Sequence, residues 1–252
     1  MGLIGREIGH FFVGIMFLTR LPVPSGLRQV EGRLARSARY FPLVGVLIGV
    51  LTGMVFLIAS QMLPSFICAG LAIVVGLLIT GALHEDGLAD TCDGLGGGAT
   101  RERALEIMRD SRIGTYGACA LICSIGIRGL TLSYFDAHSG LIALIVCHAV
   151  SRAVIPPVLV AGHYARSRGL ASSVAGGVTG REAALAFFLA CAVSLIAGPV
   201  AAVAAIAAAY FAGGVMLSIL VRRIGGYTGD GLGAIQQLAE IAVLITLAGV
   251  WL

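Results

Sequence analysis

At 252 residues, 58% of them hydrophobic and only 12% charged, with mean hydropathy +0.98, the chain is far more apolar than a water-soluble domain, where about 25% of residues are charged. Its formal charge of +4 comes from 17 basic and 13 acidic residues, and every Lys/Arg position is arginine. An excess this small and dispersed does not suggest nucleic-acid binding and suits a membrane protein with basic loops.

Residues 8–18 form an eleven-residue apolar run, about 16 Å as helix against a bilayer core of about 30 Å. They predict an N-terminal interfacial helix with His10 as a polar tip, followed by a proline-stiffened turn at Leu21-Pro22-Val23-Pro24. Arg28, Arg33, Arg36 and Arg39 precede a first span at about 40–59, in which Gly45, Gly49 and Gly53 recur every four residues. That stripe predicts a face against which another helix packs closely. Further apolar spans fall at about 65–82, 113–135, 139–161, 183–198, 200–221 and 232–252. The fold class is all-α: a polytopic membrane bundle of about seven transmembrane helices plus the interfacial helix, forming one domain over 1–252.

The arginines test this topology. Loops 20–39, 83–112, 162–182 and 222–231 hold five, four, three and two of them, and the alternate connectors hold none. Seven spans place every arginine-bearing loop on one face, as the positive-inside rule demands. The expectation is a prokaryotic inner-membrane protein with a cytoplasmic active face and its C-terminus on the far side.

On that face lies the segment His84–Asp110, which holds seven of the acidic residues: Glu85, Asp86, Asp90, Asp93, Glu102, Glu106 and Asp110. Asp86, Asp90 and Asp93 are spaced i, i+4, i+7, so a helix puts them within an arc of roughly 60°. Three like charges on one face repel, and Mg²⁺, which takes carboxylate oxygens and usually substrate phosphates too, relieves that repulsion. Glu85 is counted with this candidate metal set. The alternative is a solvated, salt-bridged turn. The glycines at 96–98 let backbone approach a ligand or end the helix.

Two further loops share the face. In 162–182, His163, Tyr164, Arg166 and Arg168 suit phosphate or nucleotide contact, unless the arginines only set topology. In 222–231, Thr228 and Asp230 open the last helix, where the acid either caps it or joins the metal site. Arg128, Arg152 and Glu240 lie inside spans and should face the bundle interior; Arg152 either reaches substrate phosphate or pairs with Glu240. Cys68, Cys119, Cys123, Cys147 and Cys191 sit in apolar segments and read as packing residues, with Cys92 in the acidic stretch and no disulfide framework visible.

The motif His84–Gly94, His-Glu-Asp-Gly-Leu-Ala-Asp-Thr-Cys-Asp-Gly, followed by Leu105–Thr115, Leu-Glu-Ile-Met-Arg-Asp-Ser-Arg-Ile-Gly-Thr, resembles the hallmark of the integral-membrane cobalamin 5′-phosphate synthases, or adenosylcobinamide-GDP ribazoletransferases. Phe17–Pro24, Tyr164–Arg166 and Gly226–Asp230 resemble further signatures of that family. The resemblance implies that α-ribazole, or its 5′-phosphate, displaces GMP from adenosylcobinamide-GDP. It implies Mg²⁺ on Asp86, Asp90 and Asp93, a proton acceptor among Asp93, Asp110 and His84, and phosphate clamps from Arg109, Arg112, Arg152 and Arg166. The partners implied are those two substrates and the lipid bilayer, with homo-oligomerisation open. Two alternatives remain: a lipid-synthesis phosphotransferase acting on a CDP-alcohol, and a transporter using Arg128, Arg152 and Glu240 as its pathway.

Overall fold

The structure is a computed structural model that describes residues 3–24, 34–166 and 177–252. Arg28, Arg33, Arg168 and the centre of the 162–182 loop lie outside the described residues. Every regular element described is helical: α1 (Leu3–Leu18), α2 (Leu34–Ser37), α3 (Phe41–Ala59), α4 (Ser65–Thr80), α5 (Leu83–Gly97), α6 (Arg101–Ile107), α7 (Thr115–Ser133), α8 (Ala137–Ala153), α9 (Ile155–Ala161), α10 (Gly180–Ser194), α11 (Pro199–Ile224) and α12 (Gly229–Trp251).

Six stretches, at Leu34–Ala59, Thr115–Ser133, Ala137–Ala161, Gly180–Ala197, Pro199–Ile224 and Gly229–Trp251, are long and apolar enough to cross a bilayer. The seventh apolar helix, α4, reaches such a length only together with α5, from which it is bent by 90°. Large side chains such as Leu78, Ile122, Leu130, Phe188, Val203 and Phe211 are exposed; in water they would be an aggregation liability, whereas in lipid they are the expected outer surface.

Sequence punctuation sets the helix ends. Pro199 opens α11 after Gly198, and Gly225, at φ 79, closes it. The hydroxyl of Thr179 caps α10, and the Asp136 carboxylate accepts the amides of His138 and Ser139 to start α8. The glycine stripe of α3 finds its partner in α8: a Cβ on Gly49 would lie 2.5 Å from the Ile145 Cα, and one on Gly53 2.5 Å from Leu141 Cδ1. Only glycine permits that backbone approach.

α1 is longer and more engaged than an interfacial anchor. Val13, Ile15 and Leu18 are buried, and the Phe17 ring stacks on Phe41 at 5.9 Å. His10, expected as an interfacial tip, is instead buried, with Nδ1 3.5 Å from Glu7. Cys68 and Cys147 are buried as packing residues, whereas Cys119 and Cys123 are exposed on α7, a correction to the packing assignment for that pair.

At the arginine-bearing end the loops are laced together by backbone. The Ala165 amide donates to the Tyr227 carbonyl and the Tyr227 amide to the His163 carbonyl, each at 2.8 Å. Arg101 donates to the carbonyls of Ile224 and Ala165, and Arg223 to those of Leu95 and Gly98. These guanidiniums satisfy carbonyls at the ends of α5 and α11 and one in the loop after α9.

Candidate active site

The bend between α4 and α5 builds the site. Gly81, at φ 64, and Ala82, at φ 55, are both left-handed, which swings α5 across the end of the bundle. The bend is pinned from α1: the Arg20 amide donates to the Ile79 carbonyl at 2.7 Å. α5 then lies against the start of α12, with glycine facing glycine. A Cβ on Gly87 would stand 2.7 Å from the Asp230 carbonyl oxygen, and one on Gly233 3.0 Å from that of His84. The contact brings Asp86 and Asp90 beside Asp230.

The acids of α5 disperse in three directions. Asp86 is exposed and Asp90 partly so. Burial first, then the charges of Asp86 and Asp230, push the Asp90 carboxyl up to about 7, although Arg166 opposes the rise. Asp93 is buried and accepts the amides of Gly114 at 2.7 Å and Gly117 at 2.9 Å, bracing the start of α7. Glu85 turns into the bundle, 3.1 Å from Arg128 and 3.1 Å from the Gln237 side-chain amide. Glu85 and Asp93 therefore have protein partners of their own, away from the Asp86–Asp90–Asp230 group.

Asp86, His84, Tyr164, Arg166 and Asp230 line one cleft of about 370 Å³, together with apolar side chains. Arg166 Nη2 lies 2.7 Å from Asp230 Oδ2, an ion pair whose atoms are nonetheless not aligned as a hydrogen bond. Among the described residues the buried Tyr164 hydroxyl has no hydrogen-bond partner. Burial raises its pKa, with the Arg166 guanidinium and, more weakly, Arg109 acting the other way. His84 is buried, and desolvation holds its imidazole well below the usual histidine range, with the Arg152 charge adding to the effect. It is a neutral group suited to orienting a neighbour more than to taking up a proton.

The remaining predicted residues stand elsewhere. Asp110 binds Arg112, with 2.6 Å between Oδ2 and Nη2, and that hydrogen bond holds the exposed Asp110 carboxyl down at about 2. Arg109 is exposed. Thr228 is fully buried, and its hydroxyl accepts the Gly231 amide to cap α12.

Arg152 belongs to a polar cluster inside the membrane bundle. Glu240, roughly 16 Å into α12 by helical rise, accepts from Arg128 at 2.8 Å and from the Gln236 amide at 2.6 Å. His148 Nδ1 is 3.1 Å from it and Arg152 Nη1 3.6 Å. The pairing of Arg152 with Glu240 is thus the arrangement found. Sequence reasoning missed His148 and Gln236; the signal was available, since polar side chains within a span should face one another.

The donor chemistry of the Asp86–Asp90–Asp230 group suits a hard cation, because crowded carboxylates gain from a divalent charge. Among the described residues no three His, Cys, Asp or Glu side chains converge into a closed metal cage. The fit is therefore to an ion held by one or two carboxylates and completed by substrate phosphate and water, the usual arrangement for Mg²⁺.

Fold and site together define an integral-membrane protein with an acid-and-arginine cleft at one end of a helical bundle. The sequence profile described as cobalamin-5-phosphate synthase matches residues 10–248. The chain is 45% identical over 249 residues to adenosylcobinamide-GDP ribazoletransferase of Bradyrhizobium diazoefficiens, covering 97% of this chain and 95% of that one. It is 41% identical to the protein of that name from Leptothrix cholodnii, covering 100% and 99%, and 43% identical to that of Rhizobium johnstonii, covering 93% and 94%. No solved structure matches. The chain belongs to the cobalamin-5-phosphate synthase family.

Proposed function

We propose that the chain is a Mg²⁺-dependent adenosylcobinamide-GDP ribazoletransferase of the inner membrane, acting from the cytoplasmic side. The observation that carries this is the near-full-length likeness to relatives of that name, with the acidic α5 held at the mouth of a cleft. A ribose hydroxyl of α-ribazole, or of its 5′-phosphate, attacks the cobinamide-side phosphorus of adenosylcobinamide-GDP. The new P–O bond forms as the bond to GMP breaks, and the hydroxyl proton leaves.

Displacement at a diphosphate depends on positioning and charge neutralisation more than on covalent catalysis. Mg²⁺, when bound, neutralises the diphosphate and polarises the phosphorus. Asp86 and Asp90 are the proposed ligands, with Asp230 beside them. Arg166 sits where its guanidinium can exchange Asp230 for a phosphate oxygen, and the Arg109 charge is felt at Tyr164 on the cleft lining. Asp90 stands at about 7 in the metal-free protein, but as a proposed Mg²⁺ ligand it would bind as the carboxylate, so the proposed acceptors of the hydroxyl proton are Asp93, Asp110 and His84.

The direct test is GMP release by purified protein in lipid, supplied with adenosylcobinamide-GDP, α-ribazole and Mg²⁺. Asp90→Asn removes a proposed Mg²⁺ ligand and is expected to lower turnover by on the order of 10²–10³. Turnover of CDP-alcohols in place of the corrinoid would overturn the reading.

A further inference from the structure

The cleft is lined by two chemically distinct sets of side chains. One is polar: His84, Asp86, Tyr164, Arg166 and Asp230. The other is apolar: Met16, Phe17 and Leu18 from α1, Leu83 of α5, Ile155 of α9 and Leu232 of α12. None of those six side chains offers a strong hydrogen-bond donor or acceptor. Phe17 is only partly buried and is held by its stack on Phe41. The Arg20–Ile79 bond, just after α1, ties that helix's end to the α4–α5 bend, which brings the apolar α1 residues to the cleft that holds the acids.

We propose that this apolar lining is the subsite for the base of α-ribazole, and that Phe17 and Leu83 set the preference for an apolar base. The inference rests on the transferase reading and deepens it. Size and polarity decide between the possible occupants. At about 370 Å³ the cleft is near the lower end of the range for small-ligand sites, roughly 300–1,000 Å³. It has room for a nucleoside, whereas a corrinoid ring must stay outside.

Two bases then compete for the apolar lining, guanine from the GDP side and the benzimidazole of α-ribazole. Guanine carries an amide, a carbonyl and an amine on its edges, and these would lose water there without gaining partners. A methylated benzimidazole loses little and gains ring contact. With the base on Phe17 and Leu83, the ribose is left to the polar side chains, which is where its hydroxyl must meet the diphosphate. The Phe-Leu-Thr-Arg-Leu-Pro stretch at 17–22 thereby acquires a role in substrate choice.

The test is equilibrium titration of the full chain in lipid nanodiscs with α-ribazole, followed by benzimidazole fluorescence, and separately with its adenine-bearing counterpart and with GDP. Wild type should prefer α-ribazole over the adenine riboside by about 10–10². Phe17→Ala should weaken α-ribazole about tenfold and narrow that preference, with GDP affinity within about twofold of wild type. Because Phe17 also packs on Phe41, Leu83→Trp is the second variant; Leu83 is 37% exposed, so the larger ring fills the cleft without disturbing the core. It should weaken α-ribazole at least as much. Unchanged α-ribazole affinity in both variants, or a selective loss of GDP, overturns the subsite. GMP release by the same wild-type preparation separates the two claims. If it proceeds, only the subsite has failed; without it, the transferase reading has failed and the subsite with it.

Discussion

Asp90 and Asp93 lie within one turn of each other on α5 and meet opposite surroundings. Asp93 accepts two amides at the start of α7. Asp93→Ala should therefore act mainly on stability, costing on the order of 1.5–3 kcal/mol for a lost charge-assisted bond, measurable as a lowered melting temperature. Asp90 faces other carboxylates, and its pKa is raised from 3.8 to about 7. Between those values the folded chain holds a proton that the unfolded chain has released, so this group's contribution falls as pH rises towards 7 and stays unfavourable above it. The metal-free protein should melt lower at pH 8 than at pH 6, and Mg²⁺ should restore more at pH 8. Asp90→Asn should flatten both dependences. Thermal melts at the two pH values, with and without Mg²⁺, would contradict this if the mutant kept the wild-type pH slope.

Between α5 and α12 the decisive feature is a missing side chain. A methyl at Gly87 would press on the Asp230 carbonyl and lie 3.1 Å from the Gly233 Cα, so α5 would have to move off α12. Displacement approaching 1 Å can cost about 10²-fold in rate. Gly87→Ala is expected to lower turnover by about 10–10² in protein that still folds. Gly126→Ala, where a Cβ would meet nothing within 4 Å, should leave turnover unchanged; equal effects in GMP release would refute the explanation. Much of this architecture was legible in the sequence. Apolar lengths and arginine placement marked the spans and the polar end, and the glycines at 45, 49 and 53 marked a packing face. The 90° bend was not legible, because only Gly81 hints at it and Ala82 adopts a left-handed conformation that its own chemistry disfavours. The division of the α5 acids was equally hidden. Helical spacing puts Asp86, Asp90 and Asp93 on one arc, but the neighbours that claim Asp93 and Glu85 come from α7 and α12, and their approach is a tertiary fact.

Across the whole bundle, α5, α7, α8 and α12 meet at one set of buried charges. Glu85 and Glu240 are balanced by Arg128 and Arg152, so the carboxylates and guanidiniums sum to zero inside the membrane. Arg128 is the joint, 3.1 Å from Glu85 and 2.8 Å from Glu240. Such a cluster is a weak source of net stability, because desolvation offsets much of the attraction, but losing one member leaves a buried charge uncompensated. Arg128→Met leaves two carboxylates against one guanidinium and should cost about 3–5 kcal/mol. Adding Glu85→Gln restores one of each, and the double variant should recover more than half of that loss. Denaturant or thermal unfolding in detergent distinguishes the cases: a double variant no more stable than Arg128→Met would mean that packing of the arginine stem, not charge balance, matters at this position. Glu85 is also the residue before Asp86. A recovered fold whose GMP release stays low would then identify the Glu85–Arg128 contact as the tie that sets α5, and the cleft carboxylates with it, against the membrane-spanning helices.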